Sequence, residues 1–266
     1  DYNIQTTGSG TPLVLLHGFT GSITNWQHLV PKLAESHTVI AIDILGHGDT
    51  AKPQDSTRYT MAQVAADVVG LIRALTVAPV TLLGYSMGGR LALYIAAHYP
   101  DIVRRLILES ASPGLADKAE RDARRERDNT LADHIEQFGI NWFVDFWESL
   151  PLWQSQMTLS QEKRDTLRHQ RLTNAPHGLA NSLRGMGTGV QPSLWSKLKD
   201  VYQPTLLLAG EEDTKFVDIN RRMQALMPSA LLTVVPDAGH TTHLEQPEFF
   251  VRQVAAFARL LAERQR

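Results

Sequence analysis

The sequence predicts an α/β protein with a mostly parallel, doubly wound sheet and a block of helices inserted between two of its strands. Three observations carry this prediction. Short β-branched and leucine-rich runs recur along the chain and are apolar on both faces, as strands of a helix-covered parallel sheet read. Helical periodicity alternates with those runs, as successive βα units require. Between Ser112 and Gln203 the alternation stops, only helical patterning remains, and strands resume at Thr205.

In chain order the predicted strands are residues 13–16 (LVLL), 38–42 (TVIAI), 80–83 (VTLL), 106–108 (LIL), 205–208 (TLLL) and 231–235 (LLTVV). Their brevity and flanking Gly, Pro and Asp favour strands over buried helical turns. Helical patterns occupy 61–75 and 88–98. The inserted region carries the charged stretch 118–128 (KAERDARRERD), which on composition alone is a solvated helix face. Helices inserted between two strands read as a lid over the sheet's carboxyl edge, where open α/β folds bind ligands. The expected organisation is a core of residues 1–111 and 204–266 with a helical lid at 112–203, and a length of 266 residues suits one domain with an insertion.

With 43% hydrophobic and 20% charged residues and a net charge of −2, the chain is of the soluble globular class and has no global field for nucleic acid or anionic membrane. The absence of cysteine removes disulfides, thiolate catalysis, Cys-ligated zinc and iron–sulfur clusters together. No basic segment followed by an apolar stretch opens the sequence, and no run approaches a membrane span, so a cytoplasmic location is expected. GxGxxG after the first strand, a Walker A loop and HExxH are all missing, which leaves metal and nucleotide cofactors unsupported. The expected partner is a small molecule, with no nucleic acid and no membrane, for a monomer or small homo-oligomer.

Gly84-Tyr85-Ser86-Met87-Gly88 follows one predicted strand directly and opens a predicted helix. This is a GxSxG elbow in the context it requires: the glycines permit a strained strand-to-helix turn that lifts the Ser86 hydroxyl above the sheet edge at a helix N-terminus. A serine hydroxyl is a poor nucleophile or base by itself, so it needs an imidazole and a carboxylate to orient that imidazole. Of ten histidines, His240 follows the last predicted strand after a glycine that lets the loop turn inward, whereas His243, beside Glu245 and Pro247, reads as a surface or helix-capping residue. For the acid, Asp213 stands just beyond the strand 205–208, with Glu211 and Glu212 as its rivals. Two backbone N–H donors are needed for an oxyanion; Met87 supplies one, and Phe19 in His17-Gly18-Phe19 the other, with His17 also read as a packed structural histidine. Gly46-His47-Gly48-Asp49 reads as a structural turn, and Trp142, Trp147, Trp153 and Trp195 either line a pocket or fill the core of the lid.

With these residues assembled, the chain from about residue 13 to 257 resembles the α/β-hydrolase-fold enzymes, whose triads run in the order Ser86, Asp213, His240. The lid segments 139–148 (GINWFVDFWE), 150–156 (LPLWQSQ) and above all 183–193 (LRGMGTGVQPS) resemble the 2-succinyl-6-hydroxy-2,4-cyclohexadiene-1-carboxylate synthases of menaquinone biosynthesis. That resemblance implies a carbon–oxygen lyase that eliminates pyruvate from 2-succinyl-5-enolpyruvyl-6-hydroxy-3-cyclohexene-1-carboxylate, with Ser86 as a base activated by His240. Such a substrate carries three carboxylates, which guanidiniums grip bidentately. Arg90 lies four residues beyond Ser86, one turn along the same helix face, and so reaches the space around the serine. Arg124 and Arg168 match the family's other carboxylate-binding arginines, although Arg121, Arg125 and Arg127 surround the first and Arg164 and Arg171 flank the second. Tyr85 and Trp147 match substrate-side positions of the family. The same triad would serve a carboxylic ester hydrolase, the second reading, and a non-catalytic binding protein of this fold is the third.

Overall fold

The computed structural model describes residues 1–260. Its sheet has seven strands: β1 (Ile4–Thr7), β2 (Thr11–Leu16), β3 (His37–Ile42), β4 (Val80–Tyr85), β5 (Val103–Glu109), β6 (Thr205–Gly210) and β7 (Ala230–Val235). They lie in the order β1-β3-β2-β4-β5-β6-β7, with β1 antiparallel to β3 and every other pairing parallel. The predicted sheet lacks β1, because its sequence IQTT has a single apolar residue and its middle positions are exposed. Burial on both faces also fails at β7, an edge strand on which Leu231 and Val234 stay exposed.

Helices cover both faces. In chain order these are α1 (Val30–Leu33), α2 (Met61–Leu75) and α3 (Met87–His98), then α4 (Lys118–Glu148), α5 (Gln161–Leu172) and α6 (Pro176–Met186), and finally α7 (Thr214–Leu226), α8 (Thr242–Glu245) and α9 (Pro247–Leu260). The two-residue period of β2 divides the core: Val14 and Leu16 pack with Val64, Val68 and Ile72 of α2 and Leu91 and Ile95 of α3. Leu13 and Leu15 point to the other face, against Trp26, Leu33, Phe250 and Val254. The helix α2 begins where Thr60 accepts a hydrogen bond from the Gln63 N–H, and its buried residues Val64, Val68 and Ile72 recur at four-residue spacing. Each such side chain contributes about 1.5–3 kcal/mol by leaving water.

The strand order reverses between β2 and β4, so the loop after β2 and the elbow after β4 face each other across the sheet's carboxyl edge. Open α/β sheets bind ligands at such a switch point. Above it, α4 and α6 bury Ala132, Ile135, Phe143, Val144, Leu179 and Leu183 against one another, a small core separate from the sheet. Gly139 interrupts α4 with φ 80° and ψ 179°, which divides it into two arms. The end of the inserted segment behaves differently: Leu194, Leu198 and Val201 are buried in the core beneath the sheet. Among the described residues no helix is long and apolar enough to cross a membrane, and no group of three metal-ligating side chains occurs.

The turn after β3 is a buried polar joint. Asp43 accepts N–H groups from Ile23 at 2.6 Å and Asp49 at 2.9 Å. His17 accepts the Ile44 N–H at Nε2 (2.9 Å), which leaves Nδ1–H to donate to the Gly18 carbonyl at 2.7 Å. Burial lowers the pKa of His17, and burial followed by repulsion from His17 lowers that of His47 to about 3. Unfolded histidine titrates near about 6.5, so above that pH both states are neutral and the full stability is present. Below it the unfolded chain binds protons that the native state does not, and stability is lost as pH falls below about 6.5, for His47 down toward 3, by up to about 1.4 kcal/mol per pH unit for that imidazole, with His17 contributing in the same direction. Urea midpoints at pH 7.5 and 5.5 should show this fall, and a His47→Gln variant should show a shallower one; equal pH slopes in the two proteins would contradict it.

Candidate active site

Ser86 sits at the tip of the β4–α3 turn with φ 49° and ψ −107°, a left-handed conformation costly for any residue but glycine. Two close approaches hold it there. A Cβ on Gly84 would lie 2.3 Å from the Gly88 carbonyl oxygen, and one on Gly88 would lie 2.3 Å from that of Leu16. The elbow thus packs backbone on backbone, and the Ser86 N–H donates to the Glu109 carbonyl on β5 at 2.8 Å.

The structure brings the three expected polar groups together. Ser86 Oγ lies 3.0 Å from His240 Nε2, and His240 Nδ1 lies 2.6 Å from Asp213 Oδ2. With Nδ1–H donating to the carboxylate, Nε2 is free to accept the serine proton. Asp213 also caps α7, accepting the Phe216 N–H at 3.4 Å, whereas Glu211 and Glu212 point to solvent. The imidazole is buried among Phe216, Tyr85 and Trp153, with ring centroids 4.7, 5.6 and 5.7 Å away.

Met87 opens α3 and Phe19 lies in the facing loop after β2. Neither N–H has a hydrogen-bond partner in the protein among the described residues. For Met87 that is the ordinary condition of a helix's first turn, where N–H groups converge with the positive end of the helix dipole.

A cavity of about 240 Å³ opens over Ser86, lined among others by Phe19, Tyr85, Met87, Trp147, Trp153 and His240. Arg90 and Arg124 both reach it. Arg90 donates to the Met186 carbonyl and to Gln191 Oε1, each at 2.6 Å, while Arg124 pairs with Asp128 at 2.7 Å. Burial first, and then repulsion by Arg124, lowers the Arg90 pKa to about 10, so it stays charged at neutral pH. Two guanidiniums with one carboxylate between them leave the cavity electropositive. Lys215, at the start of α7, adds a third cation to the lining.

The structure does not bring Arg168 into this cavity. Both of its terminal nitrogens are held by carboxylates, Asp145 and Glu148 at 2.5 Å each, in a separate surface cleft. Its neighbour Arg171 turns inward instead. That guanidinium is buried over the Trp153 ring at 5.2 Å and bonds Glu148 and Gln156, because the inner face of α5 falls at position 171. The tryptophans divide as well: Trp147 and Trp153 line the cavity, Trp142 stacks on Phe146 at 5.5 Å, and Trp195 donates to the Gly114 carbonyl at 2.9 Å.

Sequence reasoning also misplaced His243, expected at the surface. It is fully buried, and its Nδ1 faces the Glu109 carboxylate at 2.8 Å. Glu109 accepts the Thr242 hydroxyl and the His243 N–H as well, at 2.7 and 2.9 Å. These partners lie on β5 and α8, more than a hundred residues apart, so no local pattern announces them.

The model of the alpha/beta hydrolase fold matches residues 11–247. Over 92% of its length the chain is 31% identical to 92% of the 2-succinyl-6-hydroxy-2,4-cyclohexadiene-1-carboxylate synthase of Serratia proteamaculans (strain 568). It is 46% identical, over 92% of itself and 89% of the relative, to a Bacillus subtilis (strain 168) protein provisionally given the same name. The chain belongs to this synthase family of the α/β hydrolases. A solved structure, MenH from S. aureus, superposes with a TM-score of 0.94 at 37% identity, covering 100% of this chain and 99% of that one. The superposition therefore extends over both the sheet and the helices inserted between β5 and β6.

Proposed function

We propose that the protein eliminates pyruvate from 2-succinyl-5-enolpyruvyl-6-hydroxy-3-cyclohexene-1-carboxylate, giving 2-succinyl-6-hydroxy-2,4-cyclohexadiene-1-carboxylate in menaquinone biosynthesis. The observation that carries this reading is the electropositive cavity over Ser86, which adds the guanidiniums of Arg90 and Arg124 to a serine–imidazole–carboxylate relay. The relatives named for this activity support it.

The ring carbon that bears the succinyl group is acidic because its anion delocalises onto the neighbouring ketone. Ser86 Oγ takes that ring proton while passing its own to His240 Nε2, and Asp213 stabilises the imidazolium. Negative charge develops on the ketone oxygen, where the Phe19 and Met87 N–H groups form the oxyanion hole. The electron pair then moves through the ring double bond and expels the enolpyruvyl oxygen; this enolate regains a proton and becomes pyruvate. No water is consumed and no bond to Ser86 forms. Arg90 and Arg124 hold substrate carboxylates, with Tyr85 and Trp147 packing against the ring. Arg168 can serve only by exchanging its bonds to Asp145 and Glu148 for the substrate. The reaction needs no metal or organic cofactor, and we place it in the cytoplasm, as suits a cysteine-free chain.

Pyruvate release from the cyclohexene substrate tests the reading. Release should exceed the uncatalysed rate with the native protein and vanish with Ser86→Ala; no release from the native protein would overturn it.

A further inference from the structure

We infer that Glu245 is a positioning residue for His240. Its carboxylate reaches back across the single turn of α8 and spans the histidine: Oε2 accepts the Gly239 N–H at 2.7 Å, and Oε1 accepts the Thr241 N–H at 3.1 Å. The two residues that flank His240 are thus tied to one rigid, planar group. The imidazole itself must meet Asp213 and Ser86 simultaneously, at 2.6 and 3.0 Å, so a small displacement of its Cα breaks one bond or the other.

Steric packing limits this loop without aiming it. A Cβ on Gly239 would lie 2.1 Å from Ser155 Oγ of the lid, and one on Gly210 would lie 2.1 Å from the Gly239 carbonyl oxygen. The loop is therefore wedged between β6 and the lid. Directed bonds fix its rotation: Glu245 supplies those to the backbone on both sides of the histidine, Tyr85 and Gln156 bond the Thr241 hydroxyl at 3.1 and 2.9 Å, and Glu109 holds the next stretch through Thr242 and His243. A carboxylate is needed for this, since both its oxygens accept. Glutamine in the same place offers one oxygen and turns an NH₂ group toward the other backbone N–H. The proposal rests on the Ser86–His240–Asp213 geometry and is independent of the substrate's identity.

Glu245→Gln, which keeps the side chain's volume, should slow labelling of Ser86 by a fluorophosphonate at least about tenfold, because labelling needs an aligned imidazole but no substrate. Turnover of the cyclohexene substrate should lose the same factor in kcat, with KM within about twofold and the urea midpoint little changed. Glu245→Asp, which keeps a carboxylate but is one methylene short, should fall between Gln and native, and it serves alone if the Gln variant does not fold. Native labelling rates in these variants would overturn the proposal. So would a loss explained wholly by a smaller folded fraction, or a raised KM at native kcat. If labelling slows as expected but no pyruvate appears even with the native protein, the positioning role stands and the substrate reading fails.

Discussion

Ser86→Ala and His240→Ala are each expected to lower kcat by at least about 10³-fold, and the double variant to be little worse than either. The reason lies in the geometry. Ser86 Oγ and His240 Nε2 share one proton at 3.0 Å, so without the serine the imidazole has nothing to activate, and without the imidazole the hydroxyl stays protonated. Steady-state rates of pyruvate release on all three variants measure this, with folding checked by thermal melts. Losses that multiply in the double variant would mean that the two residues act independently.

The second large effect is expected at Arg90. Its guanidinium is held toward the cavity by Met186 and Gln191, and a neighbouring guanidinium, Arg124, faces the same space. Such an arrangement is electrostatically incomplete until an anion enters. Arg90→Ala and Arg124→Ala should each cost about 2–4 kcal/mol in kcat/KM if they hold desolvated carboxylates. Arg127→Ala, on the exposed side of α4, should cost far less, and so should Arg168→Ala, whose ion pairs with Asp145 and Glu148 lie outside the cavity. Arg90→Lys separates charge from shape, because an ammonium cannot reproduce the planar fork and should recover only part of the loss. Small, equal effects across all these positions would mean that the cavity does not bind a polycarboxylate.

Much of this molecule is written locally in its sequence, and the parts that are not share a cause. Strands such as β2 and β4 are legible because burial on both faces leaves a continuous apolar run, and the helix α2 because burial of one face forces a period near 3.6. The elbow is legible because backbone contact at Gly84 and Gly88 tolerates no side chain. By contrast, β1 pairs at an edge where its sequence needs no apolar pattern. Whether Arg168 or Arg171 faces inward depends on how α5 is rotated against the rest of the lid, which its scattered charges do not specify. Glu109, Glu245 and Lys215 are invisible for a similar reason: each acquires its place from a partner or a cavity wall supplied by a distant element.

The elimination and an ester hydrolysis would use the same backbone devices, so they are separated by substrate. Acyl transfer requires Ser86 to attack a carbonyl and form a covalent intermediate, whereas elimination asks it only to carry a proton. The fixed charge of Arg90 near Ser86 favours an anionic ring over a neutral ester. The decisive measurement compares pyruvate release from the cyclohexene substrate with hydrolysis of a p-nitrophenyl ester on one preparation. The expected result is a kcat/KM at least about 10³-fold higher for the cyclohexene substrate, equivalent to roughly 4 kcal/mol of transition-state preference. An ester turned over as well or better, with pyruvate no faster than the uncatalysed rate, would contradict the elimination and make the protein a hydrolase.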